Sequence, residues 1–258
     1  MKKLVIIAGA AGEIGSSYAK ALAEKEIDVI AVIRNKKLSF QSSFVKEIIC
    51  HLEDEKSIEG AFSLVDLSKY QEVIYLHTIG VDKFDPRGYP DVRPMKTIDE
   101  DVYNTNVNSF KYLMRYLVKN IGDNNQKNKK PTTLKIAMIG GVADKYAPFV
   151  IESFCEVKNI IRQYIQSQTA LHPEWISGLS INVTSTITSS ALSVRPFADT
   201  TCWLTPQEVV DKSLDALIAE KPGYEEVDII KKLPNFTSGY YEDKHMLYEK
   251  WSKETGIK

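Results

Sequence analysis

The chain has 258 residues, 43% of them hydrophobic and 26% charged, with a formal net charge of -1. A charge so near zero gives no electrostatic reason to expect nucleic acid or an anionic membrane as partner, and the length suits one α/β domain over 1–258 with a well-buried core. Three cysteines, Cys50, Cys155 and Cys202, are an odd number without metal-ligand spacing. They argue against a disulfide framework or a metal site and fit a reducing cytoplasm.

The chain opens "MKKLVIIAGAAG", which mimics a secretory signal, but the apolar run is short and passes directly into a helical pattern of Ile14, Tyr18 and Leu22. It reads instead as a buried parallel strand feeding a helix. Further strands are expected at Asp28 to Ile33, Glu47 to Cys50, Glu72 to Leu76, Leu134 to Ile139, Ile176 to Val183 and Glu226 to Ile230, with helices between them. This alternation predicts a doubly wound, mostly parallel sheet with helices on both faces. Capping boxes start helices at Thr97 with Glu100 and at Thr205 with Glu208, and "GDNNQKNKKPT", Gly122 to Thr132, reads as a solvated loop. No later apolar run has the length needed to span a bilayer.

Between the first strand and its helix, Gly9, Gly12 and Gly15 are spaced G-x-x-G-x-x-G, with Ile14 inside the turn. Glycines there let backbone N–H groups and the helix N-terminus approach a pyrophosphate, although a Gly/Ala-rich turn that only seats a helix on a sheet is spelled the same way. The second strand ends "AVIRNKK", where Arg34, Asn35, Lys36 and Lys37 stand without a carboxylate. That favours NADP(H) over NAD(H), with NAD(H) left open; a solvated basic turn is the plain alternative, and Glu13 is a poor neighbour for an extra phosphate.

This order of features resembles the short-chain dehydrogenase/reductase family from Leu4 to roughly Ile230. The resemblance implies a single-domain Rossmann-type fold with a seven-stranded sheet. It also implies adenine contact at His51 and Leu52 in "CHLEDEKSI", with His51 standing in the place of the family's aspartate. In "IYLHTIG" it brings His77 and Thr78 beside the cofactor, a hydrogen-bonded strand end being the alternative for His77. Asn106 in "VYNTNVNSFKYLM" matches the asparagine that holds a water on the family's proton relay, though it could equally be one of three asparagines on a solvated turn. Thr186 and Thr188, after the sixth strand, match the region that contacts the nicotinamide amide.

The family's catalytic signature is broken here. Gly140 or Gly141 replaces its serine, and Phe154 replaces the tyrosine of Tyr-x-x-x-Lys, while Lys158 is kept. Phenylalanine has no proton to give, and loss of a positioned general acid costs on the order of 10² to 10⁴ in rate. Tyr146, in "GGVADKYAPF", is the best remaining proton donor, with Glu152, Ser153 and His77 behind it. Three readings stay open. One is an NADP(H)-dependent reductase of a small, or carrier-linked, carbonyl or activated C=C substrate with a non-standard proton donor. The others are an inactive subunit that binds dinucleotide or assembles with an active relative, and a lyase or epimerase on the same scaffold. Residues 184–204 suit a substrate lid or a plain surface loop, and 231–258 form a C-terminal extension. By resemblance the helices Thr97 to Asn120 and Phe149 to Ala170 would pair subunits into a homodimer or homotetramer, or a heteromer with an active relative. Core burial explains their apolar periodicity equally well.

Overall fold

A computed structural model describes residues 2–83, 98–127, 131–145, 151–231 and 244–256. The elements run β1 (Lys3–Ala8), α1 (Glu13–Glu24), β2 (Asp28–Ile33), β3 (Val45–Ile49), α2 (Glu55–Phe62), β4 (Glu72–His77), α3 (Glu100–Tyr103), α4 (Ser109–Lys127), β5 (Thr133–Gly141), α5 (Glu152–Leu171), β6 (Ile176–Val183), α6 (Ser189–Val194), α7 (Pro206–Ile218), β7 (Tyr224–Ile229) and α8 (Lys244–Thr255). The seven strands form one sheet in the order β3-β2-β1-β4-β5-β6-β7, and every pairing is parallel. The expected doubly wound fold is thus found, with no antiparallel strand among the described residues.

Alternation along β1 explains both layers. Leu4, Ile6 and Ala8 pack in one core with Val107, Phe110 and Ile161, while Val5 and Ile7 pack in the other with Tyr18, Leu22 and Leu214. Successive side chains of a strand point to opposite faces, so a strand covered on both sides must be apolar throughout. The periodic residues of α4 and α5, among them Phe110, Leu117, Val157 and Ile161, and Val107 just before α4, are fully buried within the chain itself. Their spacing is therefore explained by the sheet they cover.

Two expectations need correction. Helix α4 runs on to Lys127, so Gly122 to Lys127 are helical where a loop was expected. The Asn125 side chain turns the chain back by accepting from the Thr132 N–H (2.7 Å) and donating to the Thr132 carbonyl (3.0 Å). Thr97 lies outside the described residues, and α3 is capped instead by Asp99, whose carboxylate accepts from the Val102 N–H at 3.0 Å. The second capping box is present as read, with Thr205 and Glu208 bonding reciprocally.

Strand order reverses at β1, between β2 and β4, so the loops leaving β1 and β4 separate there and open a crevice at the carboxyl ends of the strands. No described helix is long and apolar enough to cross a membrane.

Candidate active-site cleft

Gly9 takes φ +82, in the left-handed region, and a Cβ there would lie 2.8 Å from Thr78 Oγ1. The Thr78 hydroxyl fills that space and donates to the carbonyls of Ala8 (2.8 Å) and Gly9 (3.2 Å), tying the end of β4 to the glycine turn. Gly15 lets α1 pack onto the same turn, since a Cβ would meet Ala10 Cα and Thr78 Oγ1 at 2.9 Å. The glycines therefore serve close packing and leave the first turn of α1 facing the crevice.

Two cavities share Gly9, Gly12, Ile79 and Val81 as walls. The smaller, about 230 Å³, is lined by Arg34, Asn35, Lys36, Cys50, Leu52 and Glu53 among others. The larger, about 430 Å³, takes in Ile14, Gly15, Thr78, Phe154, Lys158, Thr186 and Thr188. Most residues expected at a cofactor thus converge on one groove that runs from a basic turn to the buried lysine. A dinucleotide fits this lining: a turn free of side chains in the middle, exposed cations at one end and an ammonium at the other.

Three expected residues do not belong to that lining. His51 is exposed and lies outside both cavity walls, because its neighbours Cys50 and Leu52 are the ones turned inward. His77 is completely buried, bonded through Nδ1 to Tyr75 Oη at 3.0 Å and set edge-on to Phe110. Burial first, and the Lys158 charge second, push its pKa well below the ordinary value, so it stays a neutral core imidazole. Asn106 sits in a π-helical turn (Asn104–Asn108) joining α3 and α4. Its amide nitrogen donates to the carbonyls of Val81 (3.0 Å) and Val102 (2.8 Å), and its oxygen accepts from the Val81 N–H (3.3 Å). Those bonds occupy both amide hydrogens and anchor the loop after β4. Tyr146 lies outside the described residues.

Lys158 is buried on α5 and donates to the Ile79 carbonyl at 2.8 Å, with its ammonium 5.3 Å from the centroid of the Phe154 ring. Burial lowers its pKa to about 8, opposed by Asp144 and Asp82 and reinforced by Arg162. Those two aspartates, which the sequence reading passed over, line the larger cavity. Asp144 lies in a 3-10 turn (Val142–Lys145) directly after β5; its Oδ2 accepts from the Gly141 N–H at 2.6 Å and its Oδ1 is buried without a partner. A Cβ on Gly141 would lie 2.8 Å from that Oδ1. The carboxylate of Asp144 therefore occupies the space into which a serine at 141 would project, and Gly141 and Asp144 are a matched pair. Asp82, on the loop after β4, is half-buried as a residue, yet its Oδ1 is also shielded and unpartnered. Burial raises both carboxyls to about 6.

The mouth of the cleft is closed from the other side by α6 and α8. The Glu13 carboxylate accepts from the N–H (2.8 Å) and hydroxyl (2.5 Å) of Ser189, holding the start of α6 against the glycine turn. Burial alone would raise the pKa of Glu13, but these bonds bring it below the ordinary value. Arg195 follows α6, donates to Ser185 Oγ at 3.1 Å, pairs with Glu254 at 3.3 Å and stacks over Trp203 and Trp251. Of the apolar residues expected on a lid, Leu192 and Phe197 are exposed, whereas Trp203 is buried beneath Arg195.

Residues 1–74 match the NmrA-like family. No curated protein matches the chain. Among solved structures, 3-ketoacyl-(acyl-carrier-protein) reductase from Brucella melitensis complexed with NADH is 17% identical, with a TM-score of 0.68, over 88% of this chain and 96% of its own. A short chain dehydrogenase from Burkholderia cenocepacia in complex with NADP is also 17% identical, with a TM-score of 0.69, over 96% of each chain. A tyrosine-to-phenylalanine variant of ElxO with NADPH bound is 15% identical, with a TM-score of 0.68, over 88% of this chain and 98% of its own. At such identities the likeness shows the fold: a Rossmann-type sheet arranged as in the short-chain dehydrogenases.

Proposed function

We propose that the protein is an NADP(H)-dependent reductase of the short-chain type whose proton donor is neither a serine after β5 nor a tyrosine at 154. One observation carries the reading: the basic turn after β2 and the buried Lys158 line two adjoining cavities that share the glycine turn as a wall. The likeness to NADP- and NADPH-bound structures of the same fold supports it. Arg34 and Lys36 would hold a 2′-phosphate, the first turn of α1 the pyrophosphate, and Lys158 the nicotinamide ribose. NADPH would supply a hydride at the end of the groove walled by Phe154, Asp82 and Asp144. Ser189 holds the Glu13 carboxylate, which stays ionised, against the start of α6.

The rival reading, an inactive dinucleotide-binding subunit, rests on Phe154 and on the filled space beside Gly141. Titration of NADPH and NADH by fluorescence tests the proposal. NADPH should bind more tightly, and Arg34→Ala should weaken NADPH about tenfold or more while leaving NADH unchanged. Equal affinities would remove the 2′-phosphate role of Arg34. Binding without turnover of any carbonyl, C=C or C=N compound would favour the inactive subunit.

A further inference from the structure

The carboxylates of Asp82 and Asp144 face the cleft from two separate elements, the loop after β4 and the turn after β5, and each presents a buried oxygen with no partner. Among the cleft hydroxyls, Thr186 donates to the Thr184 carbonyl, while Thr184 Oγ1 accepts from the Lys231 N–H and Ser185 Oγ accepts from Arg195. Buried acceptors without donors are costly, so these two oxygens call for a ligand that brings N–H groups or positive charge. A carbonyl substrate brings neither and would direct its developing oxyanion at two carboxyls. A protonated C=N group brings both, and is an electrophile that needs no oxyanion stabilisation.

We infer that Asp144 and Asp82 form the anionic half of the substrate site and that the acceptor they select is the nitrogen of an imine, held and protonated by Asp144 beside the apolar walls of Phe154 and Trp251. This rests on the reductase reading for its hydride but not for its binding claim. In the reduction a hydride from the dihydronicotinamide forms the new C–H bond at the imine carbon. The C=N π pair passes to nitrogen, which keeps the proton taken from the Asp144 carboxyl, and solvent reprotonates Asp144 after the amine leaves. A carboxyl near 6 can serve both states.

The test uses 1,2,3,4-tetrahydroisoquinoline as a protonated amine, its imine 3,4-dihydroisoquinoline as substrate, and the neutral ketone 1-tetralone as control. Calorimetry should show the amine binding in preference to the ketone. Binding should weaken about tenfold or more in Asp144→Asn and in Asp82→Asn, with NADPH affinity unchanged and each variant folded by thermal melt. NADPH-dependent imine reduction should fall in the same variants. In the wild type, amine binding should strengthen as pH rises from 5 to 7, because the carboxyls ionise while the amine stays protonated. The other charged and titratable groups facing the pair are Lys158 and Arg162 on α5, Lys145 after β5, Arg195 after α6 and Cys155; Lys158, at about 8, stays largely protonated over this range, Lys145 is raised and burial pushes the Cys155 thiol up, so none of these three produces that rise. This pH readout decides the matter if both variants fail to fold.

Amine affinity unchanged in both variants would overturn the proposal. Loss of NADPH binding in them would assign the carboxylates to the ribose instead and overturn it too. Abolition of imine reduction by Tyr146→Phe with Asp144→Asn still active would transfer the acid to Tyr146. Failure of NADPH to bind at all would sink the reductase reading, and amine binding would still decide the role of the pair.

Discussion

Asp144 shows how one residue takes over a place that a simpler substitution seems to leave empty. Gly141 does not leave a hole where a serine would be, because the carboxylate from three residues on returns to the same point and is held there by the Gly141 N–H. The arrangement destabilises the fold at neutral pH. Burial raises Asp144 from the ordinary 3.8 to about 6, against the pull of the Gly141 N–H, Lys158, Arg162 and Lys145. A carboxyl whose folded pKa is raised binds its proton more tightly in the folded state. Its stabilising contribution is therefore full below pH 3.8 and is lost as pH rises through about 6. Asp144→Asn resembles the protonated acid and still accepts from Gly141, so it should be more stable than wild type at pH 7.5 by about 1–3 kcal/mol. Chemical denaturation at both pH values should show the gap closing toward pH 4. A site that evolved for function rather than stability predicts this sign, and a variant less stable at pH 7.5 would contradict it.

At the scale of elements, α7 illustrates how both ends of a helix are fixed by different means. Its N-terminus is closed locally by the Thr205–Glu208 box, with Pro206 in the first turn. Its C-terminus is closed from the sheet: Lys135 on β5 is buried and donates to the carbonyls of Ala216 (3.3 Å), Leu217 (3.1 Å) and Ala219, while Lys3 on β1 reaches the Ile218 carbonyl at 2.8 Å. Burial lowers the Lys135 pKa. Thr205→Ala removes one cap and should cost about 0.5–2 kcal/mol. Lys135→Met keeps the aliphatic stem but leaves several buried carbonyls without their donor, for which about 2–4 kcal/mol is expected from charged hydrogen bonds and desolvation. Urea midpoints should rank Lys135→Met as the more damaging. The reverse order would mean that water replaces the ammonium at the helix end.

For the whole molecule, the C-terminal helix completes a cleft begun at the N-terminus. Trp251 packs with Ile151, Cys155 and Leu247, lines the larger cavity, and lies under the Arg195 guanidinium that Glu254 also holds. The glycine turn, α6 and α8 are thus joined through Glu13–Ser189 and Arg195–Glu254. Trp251→Ala should open the substrate end and loosen α8 while leaving the basic turn and the pyrophosphate site intact. Substrate-side ligand affinity is expected to fall about tenfold with NADPH affinity changed far less, and limited proteolysis should cut the C-terminal segment sooner. Equal loss of both affinities would show that α8 supports the entire cleft.

Local pattern determined a great deal by itself. It placed all seven strands to within two residues; the central ones are apolar runs because a strand buried on both faces has no polar position, while the edge strands β3 and β7 carry charged residues among their apolar ones. The glycine turn, the basic end of β2 and the interval to Lys158 located the groove, since each depends on residues close in the chain. Two ends read by sequence differ, at Gly122, where α4 runs on to Lys127, and near Thr97, where Asp99 caps α3. What only the tertiary structure decided was the fate of polar side chains: His77 sealed in the core, Asn106 bonded to the Val81 backbone, Asp144 returned to Gly141 and set on the same cavity as Asp82. Hydrogen bonding and burial of a polar group depend on what other elements bring beside it, and no spacing along one segment encodes that.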